Sequence, residues 1–271
     1  MSTSTEARVA AAVDRLAAAA SSGTACDPVR DLIGADDLDA AYAVQSALID
    51  RRLAGGARVA GRKIGLTAPA VQEQFGVRRP DFGVLLDDAI QSDSAVLSLG
   101  DFIAPRVEGE VAFVLGADLD DPRTTVVDVL RATQYLLPAI EVVDSRIRGW
   151  DIRITDTVAD NASAGAVVLG TTPYDPVGLD LTAVAMTLEH AGEPVSTGTG
   201  TGAACLGSPV NAVVWLAREC ARRGRPLAAG EVVLSGALGP MAAVGEPGCH
   251  RVDISSLGHV EVCFERAGVT S

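Results

Sequence analysis

Aromatic side chains are scarce in this 271-residue chain, 4% in all, which argues against base-stacking platforms for nucleic acid. Basic residues are outnumbered too: 22 Lys and Arg stand against 35 Asp and Glu, a net charge of −13. Such a field repels DNA and anionic membrane surfaces. No run of about 18 uninterrupted apolar residues occurs, so no membrane-spanning helix is expected. The opening MSTSTEARVAAAVDRL lacks the basic start and continuous apolar stretch of a signal peptide. Histidine is limited to His190, His250 and His259, isolated and without HxH or HxxxH spacing, so histidine ligation of a metal is not expected. The five cysteines, Cys26, Cys205, Cys220, Cys249 and Cys263, are odd in number, widely spaced and without a CxxC pair. They read as free thiols of a reducing compartment and not as a disulfide frame or zinc site. The expected location is the cytoplasm, with neither nucleic-acid nor membrane partners.

What is abundant is small and apolar: 48% of residues are hydrophobic and 21% charged, the balance of a packed globular chain. The first 55 residues read as helical. Thr3 and Glu6 have capping-box spacing ahead of an Ala-rich helix to about Ala20. Asp36 is placed to cap a second helix, DLDAAYAVQSALIDRRLA, which Gly55 and Gly56 end. From residue 57 short β-branched runs take over: RVAGRKIGL, VEGEVAFVL, AIEVVDSRI, AGAVVLG, EVVLSGAL, RVDIS and HVEVCF. Two helices interrupt them, TTVVDVLRATQYL and SPVNAVVWLARECARRG, the latter with Ser208 as cap, Pro209 at its first position and Gly224 as stop. Strands outnumber helices and do not alternate with them, so an α+β arrangement with a mixed, rolled sheet is expected over a doubly wound one.

The strongest chemical signal is PRVEGEVAFVL. On a strand, Glu108 and Glu110 share a face, about 7 Å apart along the chain. Ala112 and Val114 continue that face, while Val107, Val111 and Phe113 line the other. Carboxylates between two buried faces need a compensating cation. Glu141, in LPAIEVVDSRI, is a third acid among apolar neighbours. The pattern favours a hard-metal site over a solvated face, and all-carboxylate ligation favours Mg²⁺ or Mn²⁺ over zinc. Lys63, in GRKIGLT, is either a snorkelling side chain or, partly buried near a metal, a proton carrier. Asp81, in RRPDFG, reads by itself as a turn residue. GTGTGAACLGSP does not fit a dinucleotide loop, because the helix starts after its glycines and a polar stretch precedes them. It reads as a flexible loop near an active site.

These segments resemble the 2-keto-4-pentenoate hydratase and 4-oxalocrotonate decarboxylase group of the fumarylacetoacetate hydrolase superfamily. The resemblance is carried, in order and over roughly residues 60–245, by GRKIGLT, RRPDFGVLLDD, PRVEGEVAFVL, LPAIEVVDSRIRGW, DTVADNASAG, LGSPVNAVVWLA and LSGALGPMAAV. It implies a mixed β-roll with an N-terminal helical portion, here divided as residues 1–75 and a catalytic domain over 76–271. It further implies Mg²⁺ or Mn²⁺ on Glu108, Glu110 and Glu141, catalysis by Lys63 and Asp81, and substrate contacts from Ser163 and Leu66. The implied substrate is a small 2-oxo or 2-hydroxy-dienoic acid, and the implied assembly is a homo-oligomer. PDFG and GALGPM look more like the hydratases than the decarboxylases. Arg62, where an aromatic residue or His is common, and GTGTGAAC depart from the hydratase pattern and could reshape the pocket. An acylpyruvate hydrolase would usually need an acid–His pair, which the isolated histidines do not supply. A catalytically silent partner subunit would not need the intact acids and lysine.

Overall fold

The computed structural model describes residues 4–68, 72–73, 77, 79–201 and 205–266. Helices α1 (Thr5–Ser22), α2 (Arg30–Ile33) and α3 (Leu38–Ala54) come first. Ser4 caps α1 by accepting from Ala7 N; Thr3, expected as the cap, lies outside the described residues. Asp37, and not its neighbour Asp36, caps α3, because it is Asp37 whose carboxylate reaches Ala40 N.

The larger sheet runs in the order β2 (Asp81–Leu86), β1 (Val59–Gly65), β10 (Val232–Leu234), β5 (Pro105–Leu115), β6 (Thr133–Asp144), β7 (Ala164–Leu169) and β3 (Ile90–Ser92), with β11 (Ala242–Ala243) also on β5. Its pairings are mixed: β1 with β10 and β3 with β7 are parallel, the others antiparallel. A second sheet orders β4 (Ala95–Ser98), β13 (Gly258–Glu265), β12 (Gly248–Ile254), β8 (Ala185–His190) and β9 (Glu193–Thr199). Between strands lie α4 (Val126–Ala132), α5 (Ile154–Ala159) and α6 (Pro209–Arg222). This is the expected α+β architecture with mixed sheets and an N-terminal helical part. No helix among the described residues is long and apolar enough to cross a membrane.

Strand β5 shows how the period of two sets the plan. Val107, Val111 and Phe113 enter the main core with Ile140 and Val142 of β6, while Ala112 and Val114 join Leu137, Ala139, Leu85 and Leu234 in a smaller cluster on the opposite face. Gly109, between the two glutamates, faces the second sheet: a Cβ there would lie 3.0 Å from Met186 Cγ and Val252 Cγ1. Having no side chain at that position lets the small sheet seat directly on β5.

Several local expectations need correction. The segment from Asp81 is a buried strand, not a turn, because antiparallel pairing with β1 absorbs it. The helix over TTVVDVLRATQYL stops at Ala132, and Thr133 begins the long strand β6, whose pairing with β5 outweighs local helical preference. Ser208 precedes α6 as expected but makes no side-chain capping bond. The polar stretch before GTGTG is the strand β9; Gly202, Ala203 and Ala204 of that loop lie outside the described residues. Cys249 and Cys263 are not free thiols: they stand opposite each other on β12 and β13 and form a disulfide. Their separation of 14 residues spans a hairpin, a pairing that sequence spacing does not reveal. His190 and His250, far apart in sequence, stack with ring centroids 4.4 Å apart.

Candidate active site

The three acids meet where β5 and β6 pair. Their register sets Glu108 opposite Glu141 and Glu110 opposite Ala139. Directly opposed like charges on neighbouring strands repel, yet one carboxylate oxygen from each of Glu108, Glu110 and Glu141 lies within 4.8 Å of the others. Glu110 and Glu141 are fully buried, and Glu108 sits at the partly exposed rim. Gly236 N donates to Glu110 Oε2 at 2.7 Å, but Glu110 Oε1 and both Glu141 oxygens accept no hydrogen bond. Burial, then Glu141, pushes the Glu108 carboxyl up to about 7. Burial and the two neighbouring acids raise Glu110 well above the carboxylate range. Buried, mutually repelling oxygens without donors form the kind of cradle a hard divalent cation fits, and an all-oxygen donor set suits one.

Lys63 on β1 is the one ammonium near them. Its Nζ lies 3.1 Å from Glu141 Oε1 and donates to the Ala162 carbonyl at 2.9 Å. Burial by itself would depress its pKa; Glu141, Asp81, Glu108 and Glu110 more than offset that and hold the ammonium above its ordinary value. Asp81 opens β2 in register with Gly65. Thr157 Oγ1 donates to Asp81 Oδ2 at 2.9 Å, whereas Oδ1 is buried without a donor. Burial raises the Asp81 carboxyl, with Lys63 and Thr157 acting against it.

The Lys63 side chain passes over Gly83, its partner across the β1–β2 pair. A Cβ at Gly83 would meet Asn161 O at 2.4 Å and Lys63 Cδ at 3.2 Å. The carbonyl that receives Lys63 belongs to a left-handed run, Asn161, Ala162 and Ser163, with φ of 54°, 51° and 55°. Asn161 secures it by pairing with both backbone groups of Val84, accepting from its N–H at 2.8 Å and donating to its carbonyl at 2.9 Å. Three consecutive non-glycine residues at positive φ are strained, and these two hydrogen bonds offset the strain. Ser163 is buried and its hydroxyl donates to Asp160 Oδ2 at 3.4 Å. Leu66, at φ 55°, follows β1, and its carbonyl accepts from Gln72 Nε2 at 2.8 Å.

All five ionisable residues singled out from the sequence, Lys63, Asp81, Glu108, Glu110 and Glu141, thus lie in one place; Ser163 belongs to the turn beside Lys63, and Leu66 follows the strand that carries it. Thr157, Asn161, the Ala162 carbonyl and Gly236 N escaped sequence reading because each meets its partner from a distant segment. DTVADNASAG contained three of them, but its motif character pointed only to Ser163. Arg62 does not reshape this site: it alternates with Lys63 onto the opposite face, where its Nη1 donates to Gly61 O at 2.9 Å and approaches Glu231 at 3.5 Å.

This roll and its acid cluster define a class. The fumarylacetoacetate (FAA) hydrolase C-terminal model matches residues 66–265, and the chain belongs to the fumarylacetoacetate hydrolase family. Within it the chain stands with the 2-keto-4-pentenoate hydratases. It is 53% identical over 256 residues to the TodF product hydratase of Pseudomonas putida, covering 94% of this chain and 95% of that one. It is 52% identical over 258 residues to a 2-keto-4-pentenoate hydratase of Paraburkholderia xenovorans, covering 94% of each. Among solved structures it resembles 4-oxalocrotonate decarboxylase from Pseudomonas putida G7, complexed with magnesium and adipate, with a TM-score of 0.91 and 30% identity over 98% of this chain and 100% of that chain.

Proposed function

We propose that the chain is a divalent-metal-dependent hydratase that converts 2-hydroxypenta-2,4-dienoate to 4-hydroxy-2-oxopentanoate. The observation that carries this reading is the set of buried, donorless oxygens of Glu110 and Glu141 beside Glu108, with Lys63 and Asp81 at their edge. The identity of about half the residues with named hydratases supports the choice of reaction. Glu108, Glu110 and Glu141 would hold Mg²⁺ or Mn²⁺, and the ion, when bound, supplies positive charge where the substrate oxygens become negative.

The rest is proton traffic among the chain's own groups. Ketonisation removes the proton of the 2-hydroxyl and adds one at C5, leaving an enone. Hydration then places the water oxygen on C4 and a proton on C3, while the water gives up one proton. Two deliveries to carbon match two removals from oxygen, so two groups that alternate between protonated and deprotonated forms suffice. Asp81, whose carboxyl burial raises, and Lys63, whose ammonium the surrounding acids favour, are those groups. Thr157 and the Ala162 carbonyl keep them aimed.

The fold-level match to a decarboxylase favours a second reading, in which the same site releases CO₂ from a 2-oxo-enedioate. The two separate in one experiment. Metal-stripped protein resupplied with Mg²⁺ or Mn²⁺ is given 2-hydroxypenta-2,4-dienoate and, separately, 2-oxohex-3-enedioate. Metal-dependent loss of the dienol with gain of one water supports the hydratase; CO₂ from the enedioate with an inert dienol would replace it with the decarboxylase.

A further inference from the structure

Charge at the proposed site leaves a gap. Three carboxylates, one divalent cation and the Lys63 ammonium sum to zero, and Asp81 adds no positive charge. A substrate carboxylate entering that neutral site on a protein of net charge −13 needs one more local cation.

Arg106 is placed to be it. It lies on β5 two residues before Glu108, so strand alternation puts it on the same face as Glu108 and Glu110, about 7 Å from Glu108 along the chain. It is partly exposed. Its guanidinium stacks on Trp150, 4.3 Å from the ring centroid, and Nη1 donates to Met241 Sδ at 3.4 Å. Trp150 is itself fixed by a bond from Nε1 to the Ala104 carbonyl at 3.1 Å. Among the described residues no carboxylate pairs with Arg106, whereas Lys63 pairs with Glu141 and Arg146 with Asp160. A sulfur and an aromatic face orient the guanidinium without neutralising it, so its strong donors remain available to a carboxylate.

We propose that Arg106, pre-oriented by Trp150 and Met241, binds the carboxylate of the incoming acid at the rim of the metal site and thereby selects anionic substrates. This rests on the hydratase reading. Arg106 is a binding group, whose loss weakens substrate affinity more than turnover.

The test is calorimetric titration of Mn²⁺-loaded protein with pyruvate, a 2-oxo monocarboxylate, and with its neutral methyl ester. The wild type is compared with Arg106→Met, which keeps an apolar stem over Trp150, and with Arg106→Lys. Expected is a loss of about 10- to 100-fold in pyruvate affinity for Arg106→Met, the range of one charge-assisted hydrogen bond. Arg106→Lys should recover part of it, while affinity for the methyl ester and for Mn²⁺ is undiminished. In turnover of the dienoate, KM should rise with kcat changed little. Equal pyruvate affinity in wild type and Arg106→Met, or parallel losses for pyruvate and its ester, would overturn the proposal. If the wild type binds Mn²⁺ but neither ligand, the hydratase reading falls and takes this inference with it.

Discussion

Glu108 and Glu141 face each other directly across the β5–β6 pair, two acids in register where a sheet ordinarily avoids like charges. Gly236 N donates to Glu110 and Lys63 forms an ion pair with Glu141, but Glu110 Oε1 and both Glu141 oxygens accept no hydrogen bond. A site so built is destabilised without a cation. Added Mn²⁺ or Mg²⁺ should raise the thermal midpoint of metal-stripped protein in proportion to the logarithm of ion concentration, and Glu141→Gln should remove the effect. Calorimetric or fluorescence melts across an ion series check it.

Lys63 holds the only ammonium against the acids, and its carbonyl partner is fixed by a turn. Lys63→Met is expected to lower kcat by about 10²- to 10⁴-fold, the range for a positioned proton carrier, without weakening Mn²⁺ binding. Steady-state kinetics with parallel metal titration distinguishes this from general damage.

Two glycines should respond differently to one added methyl. At Gly83 the new Cβ meets a backbone carbonyl, Asn161 O at 2.4 Å, which cannot yield without moving the Ala162 turn. Gly83→Ala should therefore cost activity by at least about 10-fold through misplaced Lys63. At Gly109 the Cβ meets only side-chain atoms, Met186 Cγ and Val252 Cγ1 at 3.0 Å, which can repack. Gly109→Ala should destabilise by about 1–3 kcal/mol, as overpacking does, with the surviving folded enzyme still active. Melting curves and kcat for both variants give the comparison.

The buried His250 ring, stacked on His190 and flanked by Phe264, is held neutral: burial first, then His190, lowers its pKa to about 4. The unfolded chain binds that proton near pH 6.5. Between about pH 6.5 and 4 the unfolded state therefore carries more protons, and stability contributed by the neutral ring is lost as pH falls, by up to about 3 kcal/mol. Asp160, raised to about 6 by burial against the pull of Arg146, acts oppositely, its stability falling as pH rises from about 4 to 6. His250→Phe should flatten the acid limb and leave the Asp160 slope exposed. Denaturant midpoints at several pH values read both.

The buried acids were legible in the sequence because an acid between Val, Ile and Phe on both faces of a strand has few physical explanations. Glu110 and Glu141 illustrate it: each is surrounded in sequence by the residues that bury it in space. Asp81 was not legible in this way, since Pro-Asp-Phe-Gly has turn composition and only pairing with β1 makes it a strand. Neither Asn161 nor Gly236 signals its task locally; the first reaches Val84 across 77 residues and the second Glu110 across 126. Cys249 and Cys263 likewise become a pair only once β12 and β13 close their hairpin.

The most direct test of the central claim is equilibrium dialysis of Mn²⁺ against wild type, Glu110→Gln and Glu141→Gln, with dienoate turnover measured on the same samples. One ion per chain in the wild type, with binding and turnover lost together in both variants, is the predicted result. Either variant retaining wild-type ion binding and turnover would contradict the assignment of these acids as the catalytic metal centre.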